Sequence, residues 1–550
     1  MNPPHDTAAA VLIVAALGLL LGLGLLAGLA LAVRRLARDA AGLALLVVLA
    51  VALAWLVQRD LTVLPTAGDE IVNLCETLIA MVSPLRMTRY PHPSGNFTLS
   101  ASLFALPIVG SAWAQGADLL ATIADWLLTQ HLVALVLARV LSSLAWVALA
   151  GLCAWAVRRL TGDAWLGLVA AAAAIGPNVS YATSLSPYSL GIGLAWAALF
   201  VVLWGERDEA LTDRRALLAG ALAGASFGVL YLGAMVLPWA LVAGLSLRGT
   251  RRGRATLLFG AAALVAFVLV NTTLLTDFSG HLDMWGYRAR EVASFDENAE
   301  GAALAPEKGR AAFYLQHLAL WHGFPVVALG VLAGAVLAVR RRDRRLAWVV
   351  AVPLLALVEL SAVATRKEQY VLVALPGLAI VAAAWLAPVL ARLPWAPARG
   401  AVRLAGVVFF AWANVGQPLA PRVDGGGTLL GTDAAARLFE RISRETGPGD
   451  RVVLDTPNLS WPVAAQMRLA SPDLASAVAA RVKDLTGREL VFSCAEVGDC
   501  WWGARWLYQV SMTVLEPPRV PPSLRAEPLP AERWGTNHLA GFRLATAPVP

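Results

Sequence analysis

"RRLARDAAGLALLVVLAVALAWLVQRDLTVLPTAGDE", residues 34–70, carries three signals in one line: a basic cluster, an unbroken apolar run over 40–57, and an acidic pair, Asp69 and Glu70. Coiled as a helix, roughly twenty apolar residues match the hydrocarbon thickness of a bilayer. The stretch therefore predicts a membrane span with guanidinium groups at one end and two carboxylates beyond the other. The same grammar runs through the chain. Of its 550 residues 58% are hydrophobic and 15% charged, with a mean hydropathy of +0.65, whereas soluble domains carry about 25% charged residues. This composition excludes a set of soluble domains and predicts a polytopic α-helical membrane protein.

Further apolar runs lie near residues 9–33, 132–157, 163–178, 187–204, 214–230, 232–247, 255–275, 314–339, 346–364, 369–390 and 400–418. With 40–57 they predict about twelve spans. The first run is too long, and too closely followed by the next, for a cleaved signal peptide, and "RRLAR" after it reads as a stop signal. Counting one crossing per run puts Arg34, Arg35 and Arg38, Arg158 and Arg159, Arg214 and Arg215, and the clusters over 248–254, 340–345 and 392–403 on one side. By the positive-inside rule that side is cytoplasmic. The net charge of +7 then encodes topology, and nucleic acid is not an expected partner. Asp69, residues 276–311, Arg366 and the C-terminal tail fall outside the membrane on the opposite side.

Three long pieces lie there. Within residues 58–131, the segments 70–86 and 99–130 read as amphipathic stretches lying along the interface. Residues 276–311 are charged, either a flexible segment covering a substrate or a solvated connector. Residues 419–550 turn soluble in character: "GTDAAARLFERISRETGPGDRVVLD", 431–455, orders an amphipathic helix, a Gly/Pro turn and a buried strand, which predicts a small α/β domain. "CAEVGDC" brings Cys494 and Cys500 close in sequence, and an oxidising compartment would let them pair, the alternative being two free thiols. Cys153 falls inside a span as a small packing residue. His281 and Asp283 are the nearest approach to a divalent-metal pair, and two ligands at that spacing are weak grounds for a metal. Asn96, Asn178, Asn271 and Asn458 begin Asn-x-Ser/Thr triplets of the kind that arise by chance and receive no role.

Asp69 and Glu70 admit two readings. They can open an interfacial helix, where negative charge near the N-terminus contributes about 0.3–1 kcal/mol. Alternatively, a carboxylate partly desolvated at the membrane surface has its pKa raised enough to accept a proton near neutral pH and so activate a hydroxyl.

The order of several motifs favours the second reading. Asp-Glu in the first external segment is followed by "YPHPSGN" (90–96), "LARVLSSLAWVAL" (137–149), "SLSPYSLGIGLAWAALF" (184–200) and "RKEQYVLVALPGLAI" (366–380). Together they resemble the GT-C superfamily, in the branch of protein O-mannosyltransferases and lipid A aminoarabinose transferases, over residues 40–418. The resemblance implies inverting transfer of one sugar from a polyprenyl-phosphate donor to an extracytoplasmic acceptor at a bacterial plasma membrane. It makes Asp69 the base, with Glu70 orienting acceptor or base. Arg366, Lys367 and Tyr370 match the basic-aromatic pattern that holds the lipid phosphate; the competing reading is that the two cations snorkel to headgroups. Arg139 aligns with an Arg at the start of the corresponding span. Because an Arg in hydrocarbon costs about 2.5–3.5 kcal/mol even on lenient scales, it must face a polar partner or a cavity. His92 matches a His-Pro element, with Ser94 where the family has a second Pro, and Tyr188 matches an aromatic at an outer span end. Residues 1–39 stand before the family's usual first span as an added anchor. The competing functions are a polytopic transporter, against which stands the lack of any repeat of the span pattern, and a noncatalytic envelope scaffold.

Overall fold

The computed structural model describes residues 7–62, 76–82, 94–128, 131–176, 187–204, 211–231, 235–247, 252–293, 310–362, 368–415, 430–455, 472–492, 501–511, 520–534 and 537–546, apart from residues 79, 322 and 502. In chain order the helices are α1 (Thr7–Leu36), α2 (Ala40–Thr62), α3 (Ser94–Gln115), α4 (Leu119–Leu128), α5 (His131–Thr161), α6 (Ala164–Ala174), α7 (Tyr188–Leu203), α8 (Asp213–Val229), α9 (Leu237–Leu247) and α10 (Arg252–Val270). They continue with α11 (Phe278–Ala293), α12 (Arg310–Ala319), α13 (Phe324–Arg341), α14 (Arg344–Ala362), α15 (Leu375–Ala384), α16 (Leu386–Arg392) and α17 (Ala396–Val415). Short 3-10 turns occupy Thr272–Leu275 and Glu368–Val373. In hydrocarbon only helices and closed barrels satisfy every backbone amide, and continuous apolar runs of this length suit helix.

Ion pairs at the helix ends reveal how the bundle alternates. Asp39, between α1 and α2, accepts Gly42 N–H at 2.7 Å and pairs with Arg158 in the last turn of α5 at 3.0 Å. Asp163 caps α6 through Trp165 and Leu166 N–H and accepts Arg403 Nε of α17 at 3.1 Å. Asp213 at the start of α8 pairs with Arg254 at the start of α10. Arg344 and Trp348 of α14 donate to Ser246 near the end of α9. These residues gather the basic clusters on one face, hereafter the basic face, and successive helices run away from it and back.

Among the described residues eight helical stretches are long and apolar enough to cross a membrane: Val11–Leu36, Ala40–Val57, Phe97–Gln115, Val136–Thr161, Gly253–Val270, Phe324–Arg341, Arg344–Ala362 and Leu375–Arg392. This is fewer than the twelve spans expected from the sequence. The other expected runs are helical too, but α6, α7 and α9 are only 11, 16 and 11 residues long. Helices this short suit positions clad by other helices: nine residues of α6 and eleven of α7 are buried.

One stretch passes the length and composition test against expectation. Within residues 99–130, α3 is apolar with little one-sidedness, whereas α4 is amphipathic as expected of this stretch. The start of α3 lies at the far ends of α8 and α10, where Gly95 meets Asn271, and α4, which follows, packs on the C-terminal domain. Both ends of α3 thus stay away from the basic face.

Packing within the bundle relies on small residues. Gly220, Gly224 and Gly228 recur every fourth residue along α8, and a Cβ on either of the first two would overlap the Phe259 or Ala263 carbonyl of α10. With no hydrophobic drive between helices in lipid, such backbone-to-backbone seams supply van der Waals contact that bulkier residues preclude.

The C-terminal region forms a mixed sheet with helices α18 (Leu430–Glu445) and α19 (Pro472–Thr486). Its strands are β1 (Arg451–Asp455), β2 (Glu489–Phe492), β3 (Ala504–Ser511), β4 (Leu524–Pro528), β5 (Glu532–Trp534) and β6 (Asn537–Thr546), in the order β2-β1-β3-β6-β4 with β5 on β6. β1 lies parallel to β2 and β3, β2 being reached through α19, and the pairings to β6 are antiparallel. Arg441 is buried under the sheet, where it donates to Glu445 (2.8 Å) and the Pro530 carbonyl (2.7 Å), while Tyr508 OH donates to Glu445 at 2.9 Å. Burial and this acceptor together push the Tyr508 pKa up.

The domain is fused to the helical core. Leu474, Val478 and Val482 of α19 share one apolar cluster with Ile123 and Trp126 of α4, Phe104 and Ile108 of α3, and Val11 and Val14 of α1. Arg481 Nε and Nη2 donate to Asp125 Oδ1 at 2.9 and 2.7 Å across the same seam.

Replacing Gly224 with Val should lower the thermal midpoint of the detergent-solubilised protein, because the added carbons force α8 off α10 at a cost of about 1–3 kcal/mol. Exposed Gly253, which has open space around its Cβ position, should tolerate Ala with no loss in the same melting assay.

Candidate functional site

The face opposite the basic face carries the C-terminal domain and the candidate site residues for which the structure gives positions. Arg139 lies in α5, eight residues from its start, about 12 Å along the axis by helical rise, and is 5% exposed. It follows Ala138, which is buried in the cluster shared with Leu78 and Met81. At that depth the guanidinium faces protein. Tyr188 opens α7 and is buried. Tyr370 is half-buried in the turn Glu368–Val373.

These three residues stand on elements that pack together. α5 lies against α7 and α15, and the turn carrying Tyr370 leads directly into α15. The buried Trp196 of α7 donates its indole N–H to the Val373 carbonyl at 2.9 Å, which ties α7 to that turn. Asp69, Glu70, His92, Arg366, Lys367, Cys494 and Cys500 lie outside the described residues.

Two residues that the sequence reading passed over belong to this face. Glu76 is fully buried six positions beyond Glu70, a placement that for a carboxylate demands compensation by a cation, hydrogen bonds or a proton. Its sequence signal was an acid between Leu74 and Leu78 in "NLCETL". Asn271 is also fully buried. Its Oδ1 accepts the Gly95 N–H at 3.1 Å and its Nδ2 donates to the Phe267 carbonyl at 3.0 Å. Gly95 belongs to the "YPHPSGN" motif, so this bond pins the motif's end to the bundle.

Residues 276–293 are not the flexible loop expected from their charge. They begin with Asp277, whose carboxylate accepts from Gly280 N–H at 3.0 Å and Ser279 Oγ at 3.3 Å, and continue as α11. Leu275, Phe278 and Leu282 point outward, while His281 turns inward to a 2.9 Å bond between its Nε2 and Thr273 Oγ1. Trp285 donates to Tyr231 OH at 2.9 Å. His281 and Asp283 do not make a ligand pair. Two residues apart on a helix they diverge by about 200°, His281 being buried and Asp283 exposed. Among the described residues no three His, Cys, Asp or Glu side chains converge as a metal site would require.

Burial lowers the His281 pKa below its ordinary 6.5, the nearby Asp277 charge opposing that shift without cancelling it. The unfolded chain therefore takes up the proton first as pH falls. His281 should contribute stability above about pH 6.5 that is lost as pH drops toward its folded value. Thermal midpoints measured from pH 7.5 to 5 should fall less steeply in His281→Gln than in the wild type.

No protein-family model and no curated protein sequence matches the chain. Solved structures do. ArnT from Cupriavidus metallidurans bound to undecaprenyl phosphate is 13% identical, with 92% of this chain and 98% of that one covered at a TM-score of 0.54. The same protein in its apo state is 15% identical with the same coverage and a TM-score of 0.52. The archaeal oligosaccharyltransferase AglB from Archaeoglobus fulgidus, in complex with an inhibitory peptide and a dolichol-phosphate, is 12% identical over 84% of this chain and 69% of that one, at a TM-score of 0.47. A multi-pass helical core joined to a C-terminal sheet domain, superposable on ArnT over nearly the full length of both chains, gives this protein the GT-C fold.

Proposed function

We propose that the chain is an inverting glycosyltransferase that moves a single sugar from a polyprenyl-phosphate donor to an acceptor hydroxyl outside the plasma membrane of a bacterium. The observation that carries this reading is the fold shared along 92% of the chain with an ArnT structure that holds undecaprenyl phosphate. Buried Arg139, Tyr188 and half-buried Tyr370, on mutually packed elements away from the basic face, support it.

The chemistry divides among residues of this chain. A polyprenyl phosphate departs readily, so the protein must mainly align the acceptor hydroxyl opposite the departing oxygen, remove a proton and stabilise the phosphate. Asp69 takes that proton as the hydroxyl oxygen bonds to the anomeric carbon and the carbon–phosphate oxygen bond breaks from the other side, which inverts the centre. Glu70 orients the acceptor or Asp69. Arg366 and Lys367 neutralise the leaving phosphate, with the Tyr370 hydroxyl and Arg139 as further donors. His92 and Tyr188 contact the substrates. Hexose and pentose donors offer the same lipid phosphate to this set.

In this reading residues 1–39 anchor the N-terminus, 40–418 form the catalytic core with external segments at 58–131 and 276–311, and 419–550 form the external domain. The positive-inside rule then places the basic face in the cytoplasm, and an oxidising exterior lets Cys494 and Cys500 pair.

The test uses the full chain in lipid nanodiscs, supplied with undecaprenyl-phosphate-linked hexose or pentose and membrane extract as acceptor source, with release of undecaprenyl phosphate as the readout. Asp69→Asn should cut turnover about 10²–10⁴-fold, the usual share of a general base, while undecaprenyl phosphate still raises its melting temperature. Arg366→Ala should instead weaken that lipid-induced shift. Full turnover in Asp69→Asn, or no donor-dependent release by the wild type with either sugar class, would overturn the proposal.

A further inference from the structure

α11 lies across the ends of two neighbouring helices. Phe227 of α8 and Phe267 of α10 meet with ring centroids 5.2 Å apart, so α8 and α10 end at one level, opposite the basic face. His281 of α11 reaches Thr273, just past the end of α10, and Trp285, one turn later, reaches Tyr231, just past the end of α8. That turn advances about 6 Å, near the ~8 Å spacing of closely packed helices. An axis that steps from one helix end to the next at constant level runs along the membrane surface. Around it the residue types fall into sectors. At about 100° per residue, Leu282 projects roughly 40° from Phe278, whereas Ser279 and Asp283 project roughly 100–140° away and His281 and Trp285 lie on the opposite flank. Phe278 and Leu282 are 55% and 49% exposed, and Ser279 and Asp283 are exposed beside them. One exposed leucine is ordinary. Here the exposed apolar positions continue those of a membrane span: Leu264, Val265 and Leu269 of α10 are followed by Leu275 in the turn and then by Phe278 and Leu282.

We propose that α11 is an interfacial helix whose Phe278–Leu282 edge enters the acyl chains of the leaflet opposite the basic face. Its partner on that edge is phospholipid. Ser279 and Asp283 face the headgroups and water, and His281 and Trp285 hold the helix to the bundle. A helix at a boundary of protein, lipid and water needs these three sectors, whereas one crossing the membrane would be apolar on both exposed sides and one lying in water would carry polar residues where Phe278 and Leu282 stand. Seated in this way, α11 sets the depth of the α8–α10 pair, since sinking drags Asp283 into hydrocarbon and rising lifts Phe278 into water. The proposal holds whether or not the transferase reading does.

The test uses the full chain in nanodiscs of phosphatidylcholine and phosphatidylglycerol. A fluorescent amino acid replaces Phe278, Leu282, Ser279 or Asp283, one at a time, and is quenched by phosphatidylcholine bearing a nitroxide on its acyl chain. Quenching at positions 278 and 282 should exceed that at 279 and 283 by about threefold or more, because the apolar face of an interfacial helix sits roughly 5–10 Å into the leaflet. A water-soluble quencher should give the reverse order. Equal acyl-chain quenching at all four positions, or stronger quenching at 279 and 283, overturns the proposal. The unaltered protein supplies a second measurement that no folding defect can confuse. Hydroxyl radicals generated in the water phase should modify Phe278 as slowly as Phe410, which is 1% exposed, despite the far greater surface that Phe278 leaves uncovered by protein. Clearly faster modification of Phe278 than of Phe410 means that water, not lipid, covers that edge, and the proposal fails.

Discussion

Three carboxylates hold the order of the bundle. Asp39, Asp163 and Asp213 each meet an arginine from a helix distant in sequence, Arg158, Arg403 and Arg254 respectively. A charge at the end of a membrane helix cannot retreat into hydrocarbon, and it gains little from a single exposed partner in water. Gathered at helix ends, however, such pairs admit only arrangements in which α2, α6, α8 and α10 leave from the same level as α5 arrives. All later features depend on that alignment. With one face closed by paired charge, the chain's irregular segments collect on the other.

On that other face the fold trades apolar packing for backbone proximity. The glycine seam of α8 brings its carbonyls against α10 and ends at Gly228, beside Asn271. Close approach of two helices in lipid leaves their terminal amides and carbonyls near one another, where an amide side chain can bridge what a longer residue would push apart. Gly95 enters the same corner from the start of α3. The buried polar contacts nearby, Trp196 to Val373 O and Asn414 to Ala172 O, likewise satisfy carbonyls at breaks between helices, where the ladder of intrahelical bonds leaves acceptors over.

Much of this was legible in the residues. The apolar runs announced the helices because an unbroken run of about twenty apolar residues satisfies its backbone in lipid only by coiling, and the basic clusters marked the common face because cations there have a headgroup to meet. Span number was harder to read. α6 and α9 are apolar enough to suggest full crossings, yet helices clad by protein need not match the bilayer's thickness, and length is then set by the neighbours. α3 passes the same composition test as a span, yet its ends, at Asn271 and at α4, both lie away from the basic face. Charge made residues 276–293 resemble a loop, whereas Asp277 caps a helix whose outward side carries Phe278 and Leu282, next to exposed Leu275 of the preceding turn. Asn271 was hidden by its own context, a triplet that chance supplies freely. Its meaning lies in Gly95, which no local pattern connects to it. Motif order singled out Tyr188 and Tyr370, and the cost of its charge in an apolar run singled out Arg139, and all three stand on mutually packed elements; Glu76 was not singled out, because a single acid in a short helix reads as surface.

The seam between α19 and α4 bears on biogenesis. The C-terminal domain is synthesised last, yet Ile123 and Trp126, against which its helix α19 lies, emerge from the ribosome several hundred residues earlier. Until the tail arrives, that patch is covered by α1 and α3 alone, and the side that α19 later seals stays open. A chain cut short after α17 would expose it permanently, giving quality-control proteases a lasting mark by which to tell an unfinished molecule from a complete one.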